Sequence, residues 1–177
     1  MATNFAGPGG STRQVTLLGR RFTVRVVEGG SGRSKGALEG NEVTVSLAAG
    51  LSKAARKDHA MRLSRRVIAA ALLPQVSERV RRLDGDHFNS GVSRVSIKDM
   101  RSRWGSCNPV RKSISLNFRL LAAPEGILDY VIIHELSHIR EPSHGRAFWN
   151  AVEEALPDYS ESRRWLRRNG RSLARQQ

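Results

Sequence analysis

The sequence predicts an α+β fold, and three observations carry that prediction. Stretches rich in β-branched residues flank a long helical stretch, residues 113–120 alternate apolar and polar side chains, and helical spacing takes over from Pro124 onward. Strands followed by packing helices are the order of an α+β domain. Size and composition agree: 177 residues, 39% hydrophobic and 26% charged, suit one soluble globular domain with a sizeable core. Residues 14–170 are expected to form that domain, with 1–13 a disordered Gly-, Ser- and Pro-rich segment and 171–177 a basic tail.

Val15 to Val27 alternates at its end (Phe22, Val24, Val26 against Arg21, Thr23, Arg25), which predicts a strand or hairpin turning near Gly19-Arg20. Gly29 to Gly40 reads as a flexible loop, and Glu42 to Leu47 as a short partner strand. From Leu51 to Leu83 the apolar spacing is helical, broken or kinked at Pro74 and stopped by Asp84-Gly85. Strands are expected at Val92–Met100, Arg103–Cys107 and Ser113–Leu120, the last with Ile114, Leu116, Phe118 and Leu120 on one face. A helix should start at Pro124, where proline is tolerated, and run to Ile139 or Arg140. Two more follow, Gly145–Leu156 presenting Phe148, Trp149, Val152 and Leu156, and a basic Glu161–Arg168 ending at Asn169-Gly170.

Several classes are excluded. No stretch approaches 18 apolar residues, so no membrane span is expected. Residues 1–10 have neither a basic start nor an apolar core, so no secretory signal is expected. One cysteine, Cys107, permits no internal disulfide and fits a reducing, cytoplasmic setting. The net charge is +14, with basic clusters at 62–66, 79–82 and 163–175. These predict nonspecific affinity for nucleic acid or other polyanions at low salt. They lack the interleaved aromatics of a single-strand binder.

The strongest chemical signal is His134-Glu-Leu-Ser-His138, followed by His144. Residues four apart on a helix share a face, roughly 5–6 Å apart at Cβ, so His134 and His138 can bind one zinc ion. Glu135, one step round, can reach a metal-bound water as general base. Pro142 ends the helix and lets His144 supply a third nitrogen. Three protein ligands plus water make the open, catalytic arrangement. An unpaired Glu135 on an otherwise apolar helix would be costly without such a role.

The run Arg101-Ser-Arg-Trp-Gly-Ser-Cys107, then Ser115–Leu120, Pro124, Asp129–His138, His144 and Phe148-Trp149 resembles the YgjP-like metallopeptidase family, a zincin group similar to SprT-like and WLM proteases. The likeness spans roughly Leu51–Leu166. It implies a minimal zincin fold: a small, mainly antiparallel sheet packed on an HExxH active-site helix with flanking helices. It also implies zinc ligands at His134, His138 and His144 and a catalytic base at Glu135. Ser137 and Ser143 depart modestly from the family pattern, and Glu141 replaces the turn glycine of the similarly spaced metzincins.

Rival assignments exist for several roles. Glu153 or Glu154 could supply the third ligand, but His144 is nearer in sequence and the better nitrogen donor. Glu141 could instead orient a histidine. Asp129 reads as a helix-start charge, Cys107 as a small buried filler, Trp104 as packing, and His59 and His87 as surface residues. The polar face of Ser113–Leu120, through Asn117 and Arg119, is expected to touch a peptide substrate. The function expected is a zinc-dependent metallopeptidase that cleaves peptide bonds by Glu135-assisted attack of a zinc-bound water, with one Zn2+ per chain. The alternatives are a metal-dependent nucleotide pyrophosphohydrolase and a DNA-associated zincin protease acting on DNA-bound proteins.

Overall fold

A computed structural model describes residues 10–29 and 32–175. They form two compact units, one up to Ala71 and one from Leu72 onward. Of the segment expected to be disordered, 1–9 lie outside the described residues and 10–13 are paired in a strand; of the expected tail, 171–175 are helical and 176–177 lie outside.

In the first unit, β1 (Gly10–Leu17) and β2 (Arg20–Glu28) make an antiparallel hairpin. Its two-residue turn, Leu18-Gly19, has both φ angles positive (47° and 73°), the twist that suits flanking strands. β3 (Lys35–Glu39) and β4 (Glu42–Leu47) complete a mixed sheet of order β1-β2-β4-β3, with β4 parallel to β2. Alternation along β4 buries Val43, Val45 and Leu47. β3 stands where a loop is expected: Lys-Gly-Ala-Leu-Glu has no strand signal of its own, and its pairing with β4 supplies the order.

Helix α1 (Lys53–His87) runs from the first unit into the second without a break at Pro74. An interior proline costs about 3 kcal/mol. Leu72, Val76, Val80 and Leu83 offset it, because all four are buried and each contributes roughly 1.5–3 kcal/mol. Arg79, from one of the basic clusters, pairs with Asp129 and, at 2.9 Å, with Glu125, so part of the positive charge is structural. Asp129 is thus more than a helix-start charge.

Asp84 does not stop α1; it organises the turn beyond the helix end. Its carboxylate accepts hydrogen bonds from Ser90 Oγ (2.6 Å) and from the backbone N–H of Ser90, Gly91 and Val92 (2.9, 3.1 and 3.2 Å). Burial pushes its pKa up, but those four bonds outweigh burial and hold it below the usual carboxylate value. A lowered folded-state pKa gives stability that is present above the unfolded value, about 4, and is lost as pH falls through the folded one. Asp84→Asn is therefore expected to cost about 1–3 kcal/mol at pH 7, with the gap to wild type closing below pH 4 in denaturant titrations.

The second unit's sheet has the order β5-β7-β6: β5 (Arg94–Lys98) parallel to β7 (Ser113–Asn117), and β6 (Gly105–Asn108) antiparallel to β7 and at the edge. β7 stops at Asn117, whose Oδ1 accepts from Arg119 N (3.1 Å) and caps a 3-10 turn, Phe118–Ala122. The alternating pattern continues into that turn, where Phe118 and Leu120 are still buried.

Helix α2 (Glu125–Arg140) packs against β6, β7, α3 (Arg146–Ala155) and α4 (Tyr159–Arg175). Its buried residues, Ile127, Leu128 and 130–133 among them, cover most of its circumference, as befits a central helix. α4 continues past Asn169-Gly170, the expected end. Gly170 belongs inside it because a Cβ there would lie 2.7 Å from the Trp104 ring. Among the described residues, no helix is long and apolar enough to cross a membrane.

Candidate metal centre

Helix α2 brings His134 and His138 onto one face, with ring centroids 5.0 Å apart. The chain leaves the helix at Glu141, whose N–H still reaches Ser137 O (2.9 Å), and passes through Pro142 to His144. The His144 ring returns to 5.0 Å from His134 and 4.6 Å from His138. Nε2 of His144 stands 3.1 Å from Nε2 of His134, and one ligand nitrogen from each of the three lies within 4.8 Å of the others. Tetrahedral zinc with Zn–N near 2.0–2.1 Å needs nitrogens about 3.3 Å apart. The donor set fits such an ion with small ring rotations.

The rings rest on an aromatic floor. Phe148, fully buried on α3, lies 4.9, 4.5 and 4.7 Å from the centroids of His134, His138 and His144. Trp149 adds a wall 5.9 Å from His144 and stacks on Tyr159 at 5.4 Å. His138 Nδ1 lies 3.2 Å from the Glu141 carbonyl. A carbonyl only accepts, so Nδ1 carries the proton and Nε2 keeps the lone pair that a metal requires. Glu141 thus orients a histidine through its main chain rather than its carboxylate. Burial, then His138, His144 and Arg163, push the His134 pKa down to about 4, and burial lowers that of His138. Neutral imidazole is the ligating form. His134 Nδ1 is buried without a hydrogen-bond partner, so no protein acceptor fixes that ring's tautomer.

Glu135 is only 5% exposed and faces β6 rather than the histidines' side of the helix. Burial pushes its pKa up to about 7, with Arg103 opposing. That value, set by protein groups alone, suits a carboxyl that must both take and return a proton. The close approach depends on Gly105, where a Cβ would sit 2.7 Å from Glu135 Cγ and 2.8 Å from Cδ.

A pocket of about 430 Å³ opens between the three histidines and β6, walled on the strand side by Arg103, Gly105, Ser106 and Cys107. Cys107 is half-buried, and burial followed by Glu135 pushes its thiol up to about 11. It stays a neutral thiol, which argues against a thiolate ligand or nucleophile.

The substrate contacts expected from β7 need correction. Asn117 is 2% exposed and donates its amide hydrogens to Met100 O (2.8 Å) and Arg103 O (2.6 Å). Nothing of it is left for a substrate. Arg119 is half-buried in the 3-10 turn, and neither residue lines the pocket. The wall is β6, one strand over. Its four residues carry no periodicity, and the glycine after Trp104 is the signal that could have found it. Glu153 and Glu154 are exposed on α3, whose inward face presents Phe148 and Val152, and neither belongs to the histidine cluster that could hold a metal. His87 is exposed, His59 is half-buried, and neither belongs to the cluster.

Three convergent histidines beside a buried carboxylate are the arrangement of a metal-dependent hydrolase. The chain belongs to the YgjP-like family: residues 8–169 match the family model described as YgjP-like, metallopeptidase domain. The resemblance drawn from residues 101–149 is borne out. Family membership implies a metal ion and peptide or protein substrates. The chain is also similar to two crystal structures of metallopeptidase zymogens. For abylysin of Pyrococcus abyssi the TM-score is 0.47 and the identity 22%, over 52% of this chain and 93% of that one. For jannalysin of Methanocaldococcus jannaschii they are 0.40 and 28%, over 44% and 78%. No curated protein matches the chain.

Proposed function

We propose that the protein is a zinc metallopeptidase in which His134, His138 and His144 hold one ion and Glu135 is the general base. The observation that carries this reading is three imidazole nitrogens within 4.8 Å of one another, in a pocket that also holds Glu135 and is walled by an edge strand. Three imidazoles favour zinc among the available ions, and three protein ligands are the number typical of a catalytic site. When bound, zinc supplies Lewis-acid polarisation of the scissile carbonyl and acidifies the attacking water.

The chain's own residues do the rest. β6 bonds β7 along one side only, so its outer edge offers main-chain groups to an extended peptide. Glu135, held against Gly105, takes a proton from the attacking water on a carboxylate oxygen. The hydroxyl goes to the carbonyl carbon, the C–N bond breaks, and Glu135 returns the proton to the leaving amine. Phe148 and the Glu141 carbonyl keep the imidazoles in place throughout.

Chelation tests the proposal. Protein stripped of metal should lose peptide cleavage and regain it with one equivalent of zinc. Nucleoside triphosphates and duplex DNA belong in the same assay. Hydrolysis of the triphosphates without any peptide cleavage would replace this reading with the pyrophosphohydrolase one. Stimulation of proteolysis by DNA would favour the DNA-associated one.

A further inference from the structure

Arg103 lines the pocket from the segment just ahead of the edge strand and is the one Lys or Arg side chain among the residues that line it. Its guanidinium is exposed, and among the described residues it makes no ion pair, unlike Arg79, which is engaged by Asp129 and Glu125. Its backbone, by contrast, is held tightly. Asn117 donates to Met100 O and Arg103 O from its amide (2.8 and 2.6 Å) and to Trp104 O from its main chain (2.8 Å). The neighbouring Trp104 ring is seated against Gly170. A nearly fully buried amide is thus spent on fixing the carbonyls around an arginine whose own head group forms no ion pair among the described residues and acts on Glu135 only through its charge.

A fixed base with an open guanidinium is how a protein preorganises an arginine for a ligand, and the planar fork matches a carboxylate bidentately. Given the peptidase reading on which this rests, we infer that Arg103 selects peptides bearing a carboxylate near the scissile bond, either a C-terminal α-carboxylate or an Asp or Glu side chain. Arg103 is then a specificity-determining residue that touches substrate. A purely electrostatic action on Glu135 would instead alter the cleavage of every peptide alike.

The test uses zinc-loaded full-length protein and matched peptides: free or amidated at the C-terminus, and Asp or Glu against Asn or Gln beside the cleaved bond. Wild type should prefer the carboxylate member of at least one pair about 10-fold or more in kcat/KM, and the pair that responds identifies the source of the carboxylate. Arg103→Gln should abolish that preference, lowering kcat/KM for the carboxylate member of the responding pair about 10-fold more than for its neutral partner, and Arg103→Lys should restore part of it. Calorimetric titration of the Glu135→Gln protein should show the same preference in Kd, independent of turnover. Equal handling of every pair by wild type, or a uniform loss for all peptides in Arg103→Gln, would overturn the inference while the peptidase reading stands. Failure of wild type to cleave any peptide would overturn both.

Discussion

Glu135→Gln should retain zinc and lose about 10²–10⁴-fold in kcat, the usual contribution of a positioned general base. The amide is isosteric with the carboxyl, so the close contact of residue 135 with Gly105 and β6 survives the change. The histidines are untouched, because Glu135 points towards β6 while they converge with His144 on the other side of the pocket. A loss confined to kcat, with zinc content and peptide Kd unchanged, identifies a group that acts in the transition state rather than in binding. Near-wild-type turnover by this variant would mean that another residue moves the proton.

The second large effect is expected from a single methyl group. In Gly105→Ala the new Cβ would lie 2.7–2.8 Å from Glu135 Cγ and Cδ, closer than carbon atoms approach. Either β6 moves outward or Glu135 swings away, and each separates the base from the reacting water. A misplacement of about 1 Å commonly costs on the order of 10²-fold in rate. Zinc should stay bound, since the aromatic floor of Phe148 and Trp149 lies on the α3 side. Kinetics and metal analysis on one preparation decide the matter. Full activity in Gly105→Ala would show that the tight contact is not needed.

The parts of the molecule legible in the sequence are those written in strong periodicities. α2 combines an apolar circumference, a permitted proline at its start and a proline just after its end, so its bounds and its histidine face are legible to within a residue or two. His144 is legible because the exit at Pro142 limits how far the chain can travel. The wall opposite is not. Gly105–Asn108 is too short to show alternation, whereas Ser113–Leu120 shows it clearly and draws the expected substrate contacts to a strand that does not line the pocket. Its pattern also outlasts the strand, because the Asn117 side chain bonds the backbone two residues on and turns β7 into a 3-10 helix. Pro74, Asp84-Gly85 and Gly170 are breaks by local preference alone. Tertiary burial overrides the first, the hydrogen bonds to Asp84 give the second another task, and contact with Trp104 explains the third. The basic clusters are legible as charge but not as structure: Arg79 is spent inside the second unit, while Arg163, Arg164, Arg167, Arg168 and Arg171 stay exposed on α4.

X-ray absorption at the zinc edge, on wild type and on the His134→Ala, His138→Ala and His144→Ala variants, examines the metal centre most directly. The expected result is one zinc per chain, with three imidazole nitrogens at about 2.0–2.1 Å and one oxygen ligand, and one imidazole fewer in each variant. A wild-type spectrum with two imidazoles, or a His144→Ala spectrum identical to wild type, would contradict it.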